Sequence, residues 1–351
     1  MTLPSTYLAT LSLMLLTMLC WGSWANTQKL TGKWRFELFY FDYSLGVLIA
    51  AIGLAFSFGT FGTDGFSTLE DISIAGKHQM LYALLGGVVF NLANMLLVAA
   101  ISIAGLSVAF PVGIGLALVI GVIWNFFIDP KGSPELLFGG AAIVALAIIL
   151  DALAYRSYAL QKAEAEIRAG RTKGTVKKVS PKGILVSLAS GVLMGSFFPI
   201  VQMGAFRENS NEAGLRPYAL GIFFSVGVFL STFIFDLFFM NLPVEGPPVS
   251  PFDYFKGTLK QHALGVFGGV IWGIGTIANF VAASAQGNAR VGPAVSYAIG
   301  QGATMVSVLW GLLYWKEFAG AQNKVRFLIA IMLAAFISGL ALISIAPLFG
   351  K

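Results

Sequence analysis

The chain has 351 residues, of which 57% are hydrophobic and only 11% charged, against roughly 25% charged residues in ordinary soluble domains. Lys, Arg, Asp and Glu are absent from 1–28, 79–128, 183–206, 261–289, 291–315 and 327–350, runs long enough to read as bilayer spans. A soluble enzyme, a nucleic-acid-binding protein and a disulfide scaffold are excluded, because so much apolar surface cannot be kept in water; the net charge of +6 then marks cytoplasmic loops.

In chain order the apolar runs divide into ten spans, at 5–25, 41–61, 79–102, 105–128, 135–156, 183–205, 217–241, 261–285, 290–314 and 326–347. The first reads as an uncleaved span rather than a signal peptide, since no basic leader precedes it and it exceeds a typical signal core. Cys20 is the only cysteine, which leaves no disulfide and no thiolate metal site. The charge-free run 79–128 must hold two helices joined by a tight turn, placed at Ala104-Gly105. The hydrophilic stretch from Arg156 to Lys182 reads as a helical extension followed by a flexible linker.

This linker leaves five spans on either side. The predicted organisation is 1–156 as a first five-helix repeat, 157–182 as a basic cytoplasmic linker and 183–351 as a second repeat. Shifting the sequence by 182 positions sets Gly86-Gly87-Val88-Val89-Phe90 on Gly268-Gly269-Val270-Ile271-Trp272, and Gly105 and Pro111 on Gly287 and Pro293. An odd number of spans per repeat inverts the second relative to the first. The fold class is therefore an all-α membrane protein of ten transmembrane helices in two inverted five-helix repeats. Of the 22 Lys and Arg, 16 fall on the face that carries the linker, so the reading places both termini outside and the linker in the cytoplasm.

Several stretches resemble a known family. Gly105-Leu106-Ser107-Val108, continuing to Trp124-Asn125-Phe126-Phe127-Ile128-Asp129, is similar to the fourth span of the ureide permeases, a branch of the drug/metabolite transporter superfamily. Val270-Ile271-Trp272-Gly273-Ile274-Gly275 resembles the matching element of the second half. Trp310-Gly311-Leu312-Leu313-Tyr314-Trp315-Lys316-Glu317-Phe318 is similar to the wider superfamily, bacterial glucose and rhamnose porters included. The resemblance implies a ten-helix permease of the cell membrane. Two departures stand out. The linker holds no G-x-x-x-x-G-K-[ST] phosphate loop, so no nucleotide or other cofactor is implied, and Thr276 stands where relatives tend to have Asn.

Polar side chains at membrane depth either line a pathway or glue helices together. Asn91 and Asn94 share a face of span three with Ser102; Trp272, Thr276 and Asn279 share a face of span eight. These spans occupy corresponding places in the two halves. Span nine carries Pro293, Tyr297, Gln301 and Thr304 at helical spacing, and span one carries Trp21, with Trp24 read as an interfacial anchor. The predicted binding set is Trp21, Asn91, Asn94, Trp272, Thr276, Asn279, Tyr297 and Gln301. Three carboxylates, Asp42, Asp151 and Asp236, lie near the ends of spans two, five and seven. Reaching water or pairing with a loop cation is their plain role. Proton coupling is the alternative, with Asp236 the first choice because apolar residues flank it on both sides.

Amides and aromatic rings without a midplane charge predict a small neutral polar solute, which the resemblance narrows to a ureide, nucleobase or related heterocycle; the expected protein is a secondary transporter that alternates access, coupled to protons if one of the three carboxylates titrates. A monosaccharide porter is the alternative within that class, and a channel or lipid-handling protein the alternative outside it. The expected partners are the solute, protons and the bilayer; nucleic acid is excluded and a homodimer is left open.

Overall fold

A computed structural model of the chain describes residues 1–170, 181–207, 213–242 and 247–349. The first apolar run forms α1 (Tyr7–Ser23) and α2 (Ala25–Leu30), which meet at Trp24. Then follow α3 (Phe36–Phe56), the short α4 (Thr68–Ile74), α5 (Lys77–Ala104), α6 (Leu106–Ile128) and α7 (Pro134–Arg168). The second half contains α8 (Pro181–Met203), α9 (Pro217–Asn241), α10 (Leu259–Ala283), α11 (Pro293–Gly300), α12 (Ala303–Leu313) and α13 (Asn323–Phe349). Among the described residues, nine segments are long and apolar enough to cross a bilayer. The chain is an all-α, multi-pass membrane protein.

The tight turn falls where the sequence placed it. Gly105 separates α5 from α6 with φ +81°, a conformation that residues with a Cβ rarely adopt. The helical extension after span five is also present, since α7 continues to Arg168. Residues 171–180, the part of the linker expected to be flexible, lie outside the described residues.

Span nine departs from expectation. Instead of one helix over 290–314 the chain forms α11 and α12, interrupted at Gln301 and Gly302. The reason lies in the glycines on either side of Gln301. Gly has poor helix propensity, and here it admits α1 closely: a Cβ on Gly300 would lie 2.8 Å from Trp21 Cζ3, and one on Gly302 would lie 2.6 Å from Met18 Sδ. The break tightens locally, Gly302 N–H bonding to Ile299 O at 2.9 Å. Pro293 frees no mid-helix carbonyl, since it occupies the first turn of α11, where its missing N–H costs nothing.

Two helix crossings fix the architecture. Where α3 meets α10, a Cβ on Gly46 would fall 2.1 Å from Val266 O and one on Gly269 would fall 1.9 Å from Tyr43 O. Where α5 meets α9, a Cβ on Gly227 would fall 2.1 Å from Leu84 O and one on Gly87 would fall 2.0 Å from Phe224 O. Elsewhere α5 packs on α8, α10 on α1, α6 on α8 and α12 on α1, with α7 lying against α13. Gly292 (φ +80°, ψ 158°), just before α11, has the same backbone conformation as Gly105 (φ +81°, ψ 156°), just before α6.

The face that carries both termini is tied shut. Asp71 of α4 is fully buried and accepts two hydrogen bonds from Arg216, one from its backbone N–H at 2.8 Å and one from its guanidinium at 3.1 Å. Burial pushes the Asp71 carboxyl above the usual range, and the bonds from Arg216 pull it back. The guanidinium lies between the rings of Phe66 and Phe206, at 4.7 and 4.4 Å. Arg290 pairs with Asp129, Tyr218 donates to Thr2 O at 2.9 Å and Thr10 donates to Ala289 O at 2.9 Å.

The crossings predict a contrast between two glycine-to-alanine changes. Gly269→Ala forces a methyl group into the Tyr43 carbonyl and should destabilise the protein by about 1–3 kcal/mol. Gly53→Ala, on an open face of α3 with nothing within 4 Å, should be neutral or stabilising by less than about 1 kcal/mol. Thermal unfolding in detergent compares the two; equal losses would show that the crossing tolerates a side chain.

Candidate solute site

A cavity of about 530 Å³ lies between α1, α2, α5, α6, α8, α10, α11 and α12, with the first residue of α3 at its rim. Its inner end is built from Phe90 and Trp272, each midway along its helix, and its outer end from Gln28, Lys29, Phe36 and Ser102, at helix ends on the linker face. It therefore opens toward that face and ends below the tied termini face.

Trp272 organises the inner wall. Its ring stacks on Phe90 at 4.4 Å and 26°, and lies nearly parallel to Trp21 at 5.9 Å and 13°. Trp21 is held at its edge and its face: Nε1 donates to Thr276 Oγ1 at 3.1 Å, and Gly300 leaves room for the ring. Thr276, buried beneath, donates in turn to Trp272 O at 3.0 Å. Trp24 also lines the cavity and packs on Tyr43 at 4.6 Å. That placement departs from its reading as an interfacial anchor: the backbone stays helical through Trp24 (φ −56°, ψ −38°), and the side chain faces the cavity.

Two amides and a hydroxyl supply polarity. Asn94 Nδ2 donates to Tyr40 Oη at 2.9 Å, while its amide oxygen has no partner among the described residues. Gln301 and Thr304 line the cavity at the break between α11 and α12, and their side chains take no hydrogen bond among the described residues. An amide presents both a donor and an acceptor. Among the lining residues only Lys29 is charged, and it is half-exposed at the mouth and paired with Glu317 Oε1 at 2.5 Å.

The structure thus gathers Trp21, Asn94, Trp272 and Gln301 around one cavity, with Thr276 supporting Trp21 from beneath. The other predicted residues have different partners. Asn91 donates to Ser231 Oγ at 2.8 Å, to Thr232 Oγ1 and to Val228 O, joining α5 to α9. Asn279 donates to Ser296 O at 3.0 Å, joining α10 to α11. Tyr297 is fully buried, its hydroxyl between Ala117 O at 3.2 Å and Met194 O at 3.3 Å. Sequence reasoning missed the wall residues Phe36, Phe110, Ile114, Met194 and Phe197, whose apolar side chains carried no signal. It also missed Tyr40, which stands behind Asn94 and falls just before the predicted second span.

None of the three carboxyls lines the cavity. Asp42 accepts from Tyr254 Oη at 2.6 Å and lies 2.7 Å from His262 Nδ1, bridging α3 to α10 at the linker face. Asp151 is buried in the middle of α7 on the far side of the bundle, with Oδ1 unpartnered among the described residues. Asp236 is fully buried, and neither of its oxygens has a partner among the described residues.

The comparisons with known proteins bear on the family and the fold. The sequence profile of the ureide permease family matches residues 39–179 and 165–346. Ureide permease 2 of Arabidopsis thaliana is 26% identical over 94% of this chain and 95% of its own length. Ureide permease 1 of the same plant is 25% identical with the same coverage. Transmembrane protein 144 homolog B of Dictyostelium discoideum is 29% identical over 46% of this chain and 40% of its own. A crystal structure of a protein superimposes with a TM-score of 0.60 over 96% of both chains at 19% identity, which is a likeness of fold. On the strength of a profile match that spans nearly the whole sequence, the chain belongs to the ureide permease family.

Proposed function

We propose that the chain is a secondary transporter of the cell membrane that carries a small neutral solute with urea or amide groups, a ureide or related heterocycle, by alternating access coupled to protons. The observation that carries this reading is the cavity itself, closed at one face and open at the other, with stacked indoles beside amides that have hydrogen bonds to spare. Burying an ion without a counter-charge is costly, and the inner wall offers none. A flat ring fits against Trp21 and Trp272, whose planes differ by 13°, while Asn94 and Gln301 supply donors and acceptors to its edge. The names of the Arabidopsis relatives point the same way.

Alternating access rests on ten spans in two inverted five-span units, with α11 and α12 together as the ninth. Support comes from the crossings that occur twice, Gly46 and Gly269 in one, Gly227 and Gly87 in the other, and from the shared backbone of Gly105 and Gly292. The basic excess on the linker face supports a cytoplasmic position for that face. The cavity is then open inward, and the Asp71–Arg216 and Asp129–Arg290 pairs close the outside. Asp236 is the coupling group, because an unpaired carboxylate at that depth costs several kcal/mol whereas the neutral acid costs far less.

Three measurements test the proposal. In a thermal-shift screen of the purified protein, allantoin or uracil should stabilise and quaternary ammonium compounds should not; Trp272→Ala and Gln301→Ala should each weaken binding by about 1–3 kcal/mol, or roughly tenfold to a hundredfold. Stabilisation by the cation alone would replace the neutral-solute reading with drug export. For topology, Lys351→Cys should be labelled from outside intact cells and Lys173→Cys only after permeabilisation. In liposomes, Asp236→Asn should abolish accumulation driven by a pH gradient while solute exchange persists; retained accumulation removes Asp236 from the coupling role.

A further inference from the structure

We propose that Tyr40 is a positioning residue that passes the protonation state of Asp236 to the cavity-facing amide of Asn94. The inference rests on the reading of Asp236 as the coupling group and adds how a proton is felt at the solute. Three helices meet at one level to make it. Asn91 ties α5 to α9 at Ser231 and Thr232. One turn further along both helices, which run in the same direction, come Asn94 and Asp236. Tyr40 of α3 joins them there, its hydroxyl 2.9 Å from Asn94 Nδ2. Tyr40 and Asp236 are both fully buried.

The hydrogen-bonding capacity at this level is incomplete in a matching way. The Tyr40 hydroxyl accepts from Asn94 and has its own proton left to donate. Asp236 has two oxygens without a donor among the described residues. Closing the gap between them, directly or through one water, makes a chain from the carboxyl to the cavity. With Asp236 ionised, Asn94 donates to Tyr40, Tyr40 donates to the carboxylate, and the Asn94 carbonyl faces the solute. With Asp236 protonated every bond reverses. The acid donates to Tyr40, Tyr40 donates to the Asn94 oxygen, and the Asn94 amino group faces the solute. The proton comes from bulk water and returns to it, and no other bond is made or broken.

The sign of the coupling follows. A solute bound through a carbonyl oxygen prefers the amino group of Asn94, hence protonated Asp236, and by linkage its binding strengthens proton binding. That is the relation a proton symporter needs. Most other ionisable groups packed around Asp236 are engaged or distant. Glu37 of α3 is bound by Arg35 at 2.6 Å. Tyr43, one turn along α3, packs its ring on Tyr40 at 4.9 Å and on Trp24 and Trp272, and its buried hydroxyl has no partner among the described residues. On α10, His262 is held by Asp42, and on α4, Asp71 is held by Arg216. Lys77, His78 and Tyr82 of α5 lie in its first two turns, toward the termini face.

The test measures the affinity for allantoin between pH 5 and pH 8 in wild type, Asp236→Asn and Tyr40→Phe. Wild-type binding should strengthen as pH falls, by up to about tenfold per unit for one linked proton. Both variants should lose that slope, although Tyr40→Phe keeps the ring and the carboxyl. A flat Asp236→Asn profile beside an unchanged Tyr40→Phe profile overturns the relay and leaves Asp236 as the coupling group. A slope retained in Asp236→Asn, or absent from wild type, overturns both. A second measurement needs neither allantoin nor Tyr40→Phe: infrared difference spectra on acidifying solute-free protein labelled with ring-¹³C tyrosine. A tyrosine C–O band should shift with the carboxylic acid band of Asp236, and both should vanish in Asp236→Asn. A carboxylic band without a tyrosine partner overturns the relay even if allantoin does not bind.

Discussion

Backbone-to-backbone contact at the α3/α10 and α5/α9 crossings is the constraint on which the rest of this molecule depends. Lipid tails are as apolar as leucine, so burying leucine between membrane helices gains little. What holds helices together is close van der Waals contact, and the glycines at 46, 269, 87 and 227 allow carbonyls of the facing helix to occupy the space of a missing methyl. Each crossing then sets the depth of a cavity-lining side chain a short distance away. Trp272 lies one turn beyond Gly269, and Phe90 lies one turn beyond Gly87. Their 4.4 Å stacking at the cavity floor is a consequence of both crossings at once.

Buried polar groups follow a second rule, that each must find a partner where water cannot supply one. Most do so by joining helices: Asn91 to α9, Asn279 to α11, Tyr297 to α6 and α8. Some groups remain unengaged. The amide oxygens of Asn91 and Asn279 are buried without a partner among the described residues, and so are both oxygens of Asp236. Gln301, Thr304 and Asn94 differ in lining the cavity, where a solute or water can reach them.

Charges, by contrast, gather at the two faces and often join the halves of the chain. Asp71 to Arg216 and Asp129 to Arg290 do so on the termini face; Lys29 to Glu317 and Asp42 to His262 do so on the linker face. Exposed pairs such as Lys29–Glu317 contribute little to stability. The buried Asp71, sharing a guanidinium clamped between two phenylalanines, makes the stronger tie, and it lies on the face that is closed.

Composition and hydrophobic run length determined the class of this protein, the tight turn at Gly105 and the approximate ends of most helices, because a bilayer requires long apolar segments and leaves little else to read. Helical spacing also picked out Trp21, Asn94, Trp272 and Gln301, since residues three or four apart share a face whatever lies opposite. Spacing could not separate Asn94, which faces the cavity, from Asn91, which faces α9; they share one helical stripe, and only the neighbouring helix decides. Nor could it foresee the break at Gln301, because isolated glycines are common in membrane helices and become breaks only where a ring such as that of Trp21 presses in. The meeting of Tyr40, Asn94 and Asp236, separated by 54 and 142 positions in sequence, belongs to tertiary structure alone, for it requires three helices to arrive at one depth.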